Sequence, residues 1–491
     1  MITLGLVDSV DDNGVYVTMP GSRGVLRGPY KALSTVAAGT TVLVASTDDG
    51  EQVVVGAAPG QDGAVSVAAF GAKGDGTTVD SAAVQAALDA ATAGSTVVFP
   101  PGTYVCAPVT ASTAGVTLVG YGATIVASGS TASPLLSVSG AGVTVRGLAV
   151  DGDGGAAFGI KVAASGVTLL DVSVTGSTNH GIWAESAGDL TVHRVVMDGC
   201  GSAVHGAGLY AYACANLTLT NCLARDSWEH GYYLLGESER GAVVTGCHAI
   251  ENGVRGGGGT GFSIRQSGAT VTGCYATGNE LAALNVSWPI QSPQTSGSDV
   301  TVSGCVLGWS ASGADREMMI VGMDDVSLVG NVITSSDALT VVRLGESGGS
   351  AVDGLMVGNH VVQDNASGNN AIIVESNGWT MSANKIEGAG VANGVSVNAT
   401  VTTGLDIVSN RIKGFVNGVK LQSGSSDYVY LSGNAITDCT TAVNNSSSGT
   451  NHRIVTFDTA PDITGSRSGN AALASLLTAL EGLGLITDST T

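Results

Sequence analysis

The sequence predicts an all-β fold: a single-stranded parallel β-helix of about 13 coils, with a small β-barrel before it and a short helix after it. Three observations carry that expectation. The 491 residues include 73 glycines and are 44% hydrophobic but only 12% charged, a balance that excludes disorder and favours short strands with many turns. A segment recurs along the chain, as in "GVTLVGY", "GVTLLDV", "NLTLTNC", "DVTVSGC", "GWTMSAN" and "YVYLSGN". Its last residues are Tyr121, Leu148, Val172, Val195, Cys222, Cys247, Cys274, Cys305, Asn331, Asn359, Asn384, Asn410 and Asn434, twelve intervals over 313 residues with a mean of about 26. Within each period lie two or three alternating stretches of about 4 to 6 residues, bounded by Gly, Asn, Asp or Ser and too short for helices.

Stacking gives the recurring residue a physical meaning. Coils about 4.8 Å apart pile like residues on like. Asparagines in the C-terminal half can then bond along the stack and satisfy turn backbone, while Cys222, Cys247, Cys274 and Cys305 fill the same slot as small buried hydrophobes. Cys106, Cys200, Cys214 and Cys439 have neither a CxxC partner nor zinc spacing, so no metal and no cofactor are expected.

Residues 1–58 read separately, as a small β-barrel whose strands alternate around Asp-Asn-Gly and Asp-Asp-Gly turns. Residues 59–66 form a linker, and the β-helix runs over 67–445. It opens with "FGAKGDGTTVDSAAVQAALDAA", which predicts a capping helix over about 81–92, with Asp80 or Ser81 as N-cap. Val84, Ala87, Leu88 and Ala91 share one face and can plug the open coil. A second linker covers 446–468. The tail, 469–491, spaces Leu473, Leu476, Leu480 and Leu483 as a and d positions, in a helix short enough to need partners.

The net charge of -21 argues against nucleic acid or an anionic membrane as partner. No apolar run is long enough to insert in a membrane. The opening "MITLGLVDSVDD" lacks the basic and apolar regions of a signal peptide, so none is expected.

Chemistry is expected where coils depart from the repeat. His180, His193, His205, His230 and His248 fall between residues 180 and 275, with Tyr210, Tyr212, Tyr232, Tyr233 and Tyr275, and with Trp183, Trp228 and Trp288 in or beside that stretch. His180 lies eight residues after Val172, and His230 eight after Cys222. The two therefore share one slot, two coils apart. If Ile182, Leu209, Tyr232, Phe262 and Leu284 point inward, alternation turns Trp183, Glu185, Tyr210, Tyr212, Tyr233, Ser263, Arg265 and Asn285 outward.

Aromatic faces among carboxylates, amides and arginine suit sugar rings, so Trp183, Tyr210, Tyr212, Trp228, Tyr233, Arg265 and His180 are the candidate carbohydrate contacts. The alternative is a set of surface aromatics between subunits. The catalytic candidates are Glu185, Glu237, His230 and Asp226. Glycosidases set two carboxylates about 5 to 9.5 Å apart, and Glu185 and Glu237 are separated by two coils, about 10 Å plus a lateral offset. Asp226 and Glu229 precede His230 and can either join it or cap a turn. The "WPIQSPQTSGS" insertion at 288–298 can wall such a groove.

The stretch Phe70–Tyr104 resembles the opening of the pectate-lyase-like right-handed β-helix proteins, common in phage tailspikes and polysaccharide-degrading enzymes. Thr78, Val79 and Asp80 stand where that family usually shows Thr-Asp-Asp. Residues 1–58 resemble the oligonucleotide/oligosaccharide-binding-like (OB-like) barrels of phage tail-hub and minor tail proteins, and the tail resembles the ends of minor tail proteins from phages of high-GC actinobacteria. These resemblances imply a right-handed helix, a homotrimer joined by the 469–491 helix, attachment to other phage tail proteins through residues 1–58, location in the virion tail, and a host cell-surface glycan as target. A tailspike depolymerase of hydrolase or lyase type, a non-enzymatic receptor-binding or structural tail protein, and a free polysaccharide lyase or hydrolase all remain open at this point.

Overall fold

The computed structural model describes residues 2–11, 14–18, 26–32, 41–46, 52–57, 64–202, 205–256, 258–287, 297–308, 316–321, 323–335, 340–345, 353–364, 369–424, 427–449, 451–455, 462–465, 476–478 and 487–490. The chain divides into two compact units, Met1–Leu284 and Asn285–Thr491. About 13 turns of right-handed parallel β-solenoid make up most of it.

The first unit begins with a closed five-stranded barrel: β1 (Ile2–Asp11), β2 (Gly14–Thr18), β3 (Leu26–Ala32), β4 (Thr41–Ser46) and β5 (Gln52–Ala57). The strand order is β1-β2-β3-β5-β4, and β4 pairs back onto β1. All neighbours are antiparallel except β3 and β5, which run parallel. Alternation turns Val7, Val15, Val17, Val42 and Val44 into one buried cluster, with Tyr30 packed against it. Closure leaves no unpaired edge.

Helix α1 (Ser81–Ala90) follows, two residues shorter than expected, and buries Val84, Ala87 and Leu88. Asp80 stands at the cap position, yet its buried carboxylate accepts from the Lys73 and Gly74 N–H groups at 2.7 and 2.9 Å instead of from the helix. Ser81 Oγ accepts from the Ala107 N–H at 2.7 Å, and the Gln85 amide bonds Thr110 in both directions. These bonds fasten the helix to the first coils.

Five successive strands form one column of the solenoid: β6 (Ala156–Val162), β7 (Ile182–Glu185), β8 (Leu209–Tyr212), β9 (Tyr232–Arg240) and β10 (Thr260–Ser267). Parallel register sets Ile160, Ile182, Leu209, Tyr232 and Phe262 on one another, all fully buried. Three-residue strands such as Thr191–His193 and Val196–Asp198 supply the other columns, each with one buried residue at its centre. That period of two is the alternation expected of half-buried strands.

The recurring slot stacks as expected from Leu148 onward. Backbone bonds from Val196 to Val172, Leu223 to Val195, His248 to Cys222 and Tyr275 to Cys247 tie each slot to the coil above it. Tyr121 is the exception. Ala123, not Tyr121, pairs with Leu148, because the strand bulges between Val119 and Ala123. Tyr121 is thrown outward, half-exposed, where its hydroxyl donates to Asp171 Oδ2 at 3.0 Å.

From residue 331 onward the slot is Asn. Each amide donates to the carboxamide oxygen of the next: Asn331 to Asn359 at 2.9 Å, Asn359 to Asn384 at 3.0 Å, Asn384 to Asn410 at 2.9 Å and Asn410 to Asn434 at 3.0 Å. The same oxygens accept the backbone N–H of the preceding Asn. Coil pairing continues through Arg453–Val455, inside the stretch read as a linker. The tail, read as a helix over 469–491, is described at two places. Thr487–Thr490 is a strand, parallel to Asp462–Gly465, and helix is described only at residues 476–478. The β-branched and polar "TDST" favours an extended chain and offers no apolar stripe. Leu473, Leu480 and Leu483 lie outside the described residues.

Replacing Asn384 by Ala removes an acceptor from the Asn359 backbone and amide and a donor to the buried Met356 carbonyl. The expected cost is about 2 to 4 kcal/mol, read as a lower Tm in circular-dichroism melting. Asn434→Ala, at the half-buried end of the ladder, should cost less, and equal melting of Asn384→Ala and the parent would refute the ladder's role.

Candidate functional site

The site grows from a column of glycines. Gly159, Gly181, Gly208, Gly231 and Gly261 each precede the first inward residue of a coil, and a Cβ has no room there. On Gly181 it would lie 2.6 Å from Cys200 Sγ and 2.7 Å from the Gly208 carbonyl; on Gly231 it would lie 2.7 Å from the Gly261 carbonyl. Such close approach fixes the register. Residues just before the glycines form one row, Phe158, His180, Ala207, His230 and Thr260. Two residues after them run Lys161, Trp183, Tyr210, Tyr233 and Ser263, and the next outward row holds Glu185, Tyr212, Leu235 and Arg265.

These rows make a continuous strip of rings. Phe158 packs on Trp183 with centroids 4.6 Å apart, and His180 stacks on Tyr210 at 4.6 Å and 12°. Tyr210 meets Tyr233 edge-on at 5.3 Å, and His230 meets Tyr233 at 4.8 Å. Cations close both ends: Lys161 Nζ sits 3.7 Å above the Trp183 ring, and Arg265 Cζ sits 5.2 Å from that of Tyr233. Four coil spacings separate these ends, about 19 Å. The strip is half-buried on its rings and underlain by a fully buried core that does not need it.

The two histidines do occupy equivalent slots two coils apart, and each accepts a backbone hydrogen bond in the same way. The Ala207 N–H donates to His180 Nδ1 at 3.1 Å, and the Thr260 N–H donates to His230 Nδ1 at 3.0 Å. A backbone N–H can only donate, so each Nδ1 is unprotonated and the ring proton sits on Nε2. Burial first, then the nearby His205, lowers the pKa of His180 to about 4. Burial, Arg265 and His180 lower that of His230 to about 4. Burial, with Tyr233, Tyr212 and Glu185 nearby, raises that of Tyr210.

The remaining candidates are dispersed. Glu185 lies on the strip's margin, but its carboxylate pairs with Lys161 at 2.8 Å. Tyr212 is next to it in register, half-buried. Asp226 sits at a left-handed turn (φ 50°) rather than on the strip, where Arg255 holds it at 3.2 Å and also bonds its carbonyl. Trp228 is likewise at the turn: its backbone N–H donates to the Cys200 carbonyl, and its ring faces Gly256. Glu229, beside it, accepts from the Gly206 N–H and lies 3.5 Å from His205 Nδ1. The Glu237 side chain lies outside the described residues, as do Trp288 and the rest of the insertion through residue 296. Sequence reasoning missed Phe158 and Lys161, which extend the strip by one coil. Aligning "FGIK" with "HGIW" on the glycine would have found them.

Comparison with known proteins bears on the fold. Residues 64–147 match a family model described as rhamnogalacturonase A/epimerase, pectate lyase-like, and residues 135–307 match one for a right-handed beta helix region. No curated protein sequence matches the chain. Among solved structures, the N-terminal fragment of bacteriophage phi29 gene product 12 is 15% identical over 82% of this chain and 75% of its own, with a TM-score of 0.56. The Pseudomonas phage phi297 tailspike gp61 is 12% identical over 75% of this chain and 80% of its own, with a TM-score of 0.48. The A-module of mannuronan C-5 epimerase AlgE4 from Azotobacter vinelandii is 17% identical over 80% of this chain and all of its own, also at 0.48.

The buried imidazoles predict a pH dependence. An unfolded histidine titrates near 6.5, so as pH falls the unfolded chain takes up protons first and stability drops. The loss begins near pH 6.5 and levels off near pH 4, at about 3 kcal/mol for each ring. Melting across this range should show the decline, and His180→Gln combined with His230→Gln should flatten it. A double variant with the parent's slope would assign the decline to other groups.

Proposed function

We propose that this chain is a phage tail protein that recognises a host-surface polysaccharide through the outward face of β6–β10. One observation carries the reading. Over five coils, rings and cations line an outward face that the core does not require, and polar groups flank the rings. Sugars ask for that combination, because their apolar C–H faces stack on rings while their hydroxyls need fixed polar partners. The pectate-lyase-like match and the fold shared with a bacteriophage protein support placing the chain in a virion tail. The closed five-stranded order of residues 2–57, with its single parallel pair, supports an OB-like module that attaches to other tail proteins. The assembled form in this reading is a homotrimer that engages residues 469–491.

Recognition is favoured over cleavage. Glu185 and Asp226 are each held by a cation, Lys161 and Arg255, the first at the end of a strand and the second at a turn. A glycosidase sets two carboxylates across one bond, and His230 already spends its Nδ1 on the Thr260 backbone.

Sedimentation of the full chain with host envelope polysaccharide tests this. Trp183→Ala combined with Tyr233→Ala should weaken binding on the order of 10-fold or more, while Glu185→Gln should retain it. Binding indifferent to the aromatic pair would sink the proposal. Chromatography of the incubated polysaccharide should show no shortened chains; shortening by the parent but not by Glu185→Gln would make the protein a depolymerase.

A further inference from the structure

The two histidines share more than a slot. Each has its Nδ1 fixed as an acceptor by the next coil's backbone, so each presents an Nε2–H of fixed tautomer. Neither Nε2 has a partner or is fully buried among the described residues. Each ring is also steadied by a tyrosine, His180 by Tyr210 and His230 by Tyr233. Between them the slot is Ala207, which fills little space and offers no side-chain donor. The result is two like donors beside one aromatic strip, separated by two coil spacings of about 10 Å.

That interval has a chemical counterpart. In an extended chain of β-(1→4)-linked pyranoses, successive rings are turned over. A given substituent therefore faces the same side only at every second ring, two ring lengths apart. Resting on the glycan reading above, we propose that His180 and His230 select an extended β-(1→4)-linked glycan lying along the solenoid axis, each Nε2–H donating to an acceptor carbonyl on alternate sugars. The net charge of -21 disfavours a carboxylate-rich polymer and favours a neutral carbonyl, such as that of an acetamido group. Lys161 does not change this balance, because Glu185 neutralises it.

Calorimetric titration of the full chain with three hexasaccharides tests the proposal: chitohexaose, which carries acetamido groups on an extended chain; cellohexaose, which is extended without them; and maltohexaose, whose α-linkages curve. Chitohexaose should bind tightest and maltohexaose weakest. His180→Phe and His230→Phe keep a ring but lose the donor, and each should weaken chitohexaose about 3- to 10-fold. Both variants should leave cellohexaose within about 2-fold. His230→Gln, which keeps an amide donor and an acceptor for Thr260, should fall between parent and Phe; matched Tm values exclude a folding effect. If Trp183→Ala weakens the sugars but both Phe variants do not, the spacing inference falls while glycan recognition stands. Equal or tighter binding of maltohexaose overturns it as well. If none of the hexasaccharides binds, the selection rule falls; envelope-polysaccharide sedimentation then decides recognition separately.

Discussion

Coil-to-coil backbone pairing is the constraint from which the rest follows. In a parallel stack each residue's backbone bonds residues flanking its equivalent in a coil about 4.8 Å away, so a choice at one position is repeated along the axis. A buried polar side chain is admissible only if its neighbours satisfy it. The asparagine ladder meets that condition twice over, because each carboxamide oxygen takes both an amide and a backbone N–H. Cysteine meets it differently between Cys222 and Cys305. With the Cys247 thiol beside it and burial around it, the free Cys222 thiol has its pKa pushed up and donates to the Val192 and Thr220 carbonyls, so it behaves as a small neutral filler.

The same constraint builds the candidate site. Glycines that admit no Cβ hold adjacent coils in close register, and register then places rings on rings. The strip is thus a by-product of stacking turned outward. Its electrostatics are set by local partners rather than by the chain's overall negative charge. Lys161 is shared between Trp183 and Glu185, and Arg265 lies over Tyr233 with its buried Nε unpaired. Two neutral histidines sit among them. A surface of rings and fixed donors is what the proposed recognition of an uncharged glycan asks for.

Much of this was legible beforehand, for a physical reason. Repetition makes one good alignment serve every coil, which is why the shared slot of His180 and His230 and the outward turn of Trp183, Tyr210 and Tyr233 could be read from spacing. Where the period is interrupted, spacing misleads. The bulge at Gly120–Gly122 displaces Tyr121 from its ladder, and no count of residues distinguishes a bulge from a coil of another length. Spacing names Trp228 as a sugar contact and leaves Asp226 either to join His230 or to cap a turn. They lie in the turn, whose direction depends on a left-handed residue and on Arg255, 29 residues away.

By itself, then, the sequence determined the architecture: short alternating strands at a period near 26 can bury their apolar rows only by stacking in parallel. It also determined which residues share a slot, since that is arithmetic on the period. What only the tertiary structure decided is who meets whom between coils. Lys161 reaching Glu185, Arg255 capturing Asp226 and the backbone N–H groups that fix both imidazoles all join residues 24 to 30 positions apart. Such contacts depend on side-chain reach and turn direction in three dimensions, and a periodic pattern encodes neither.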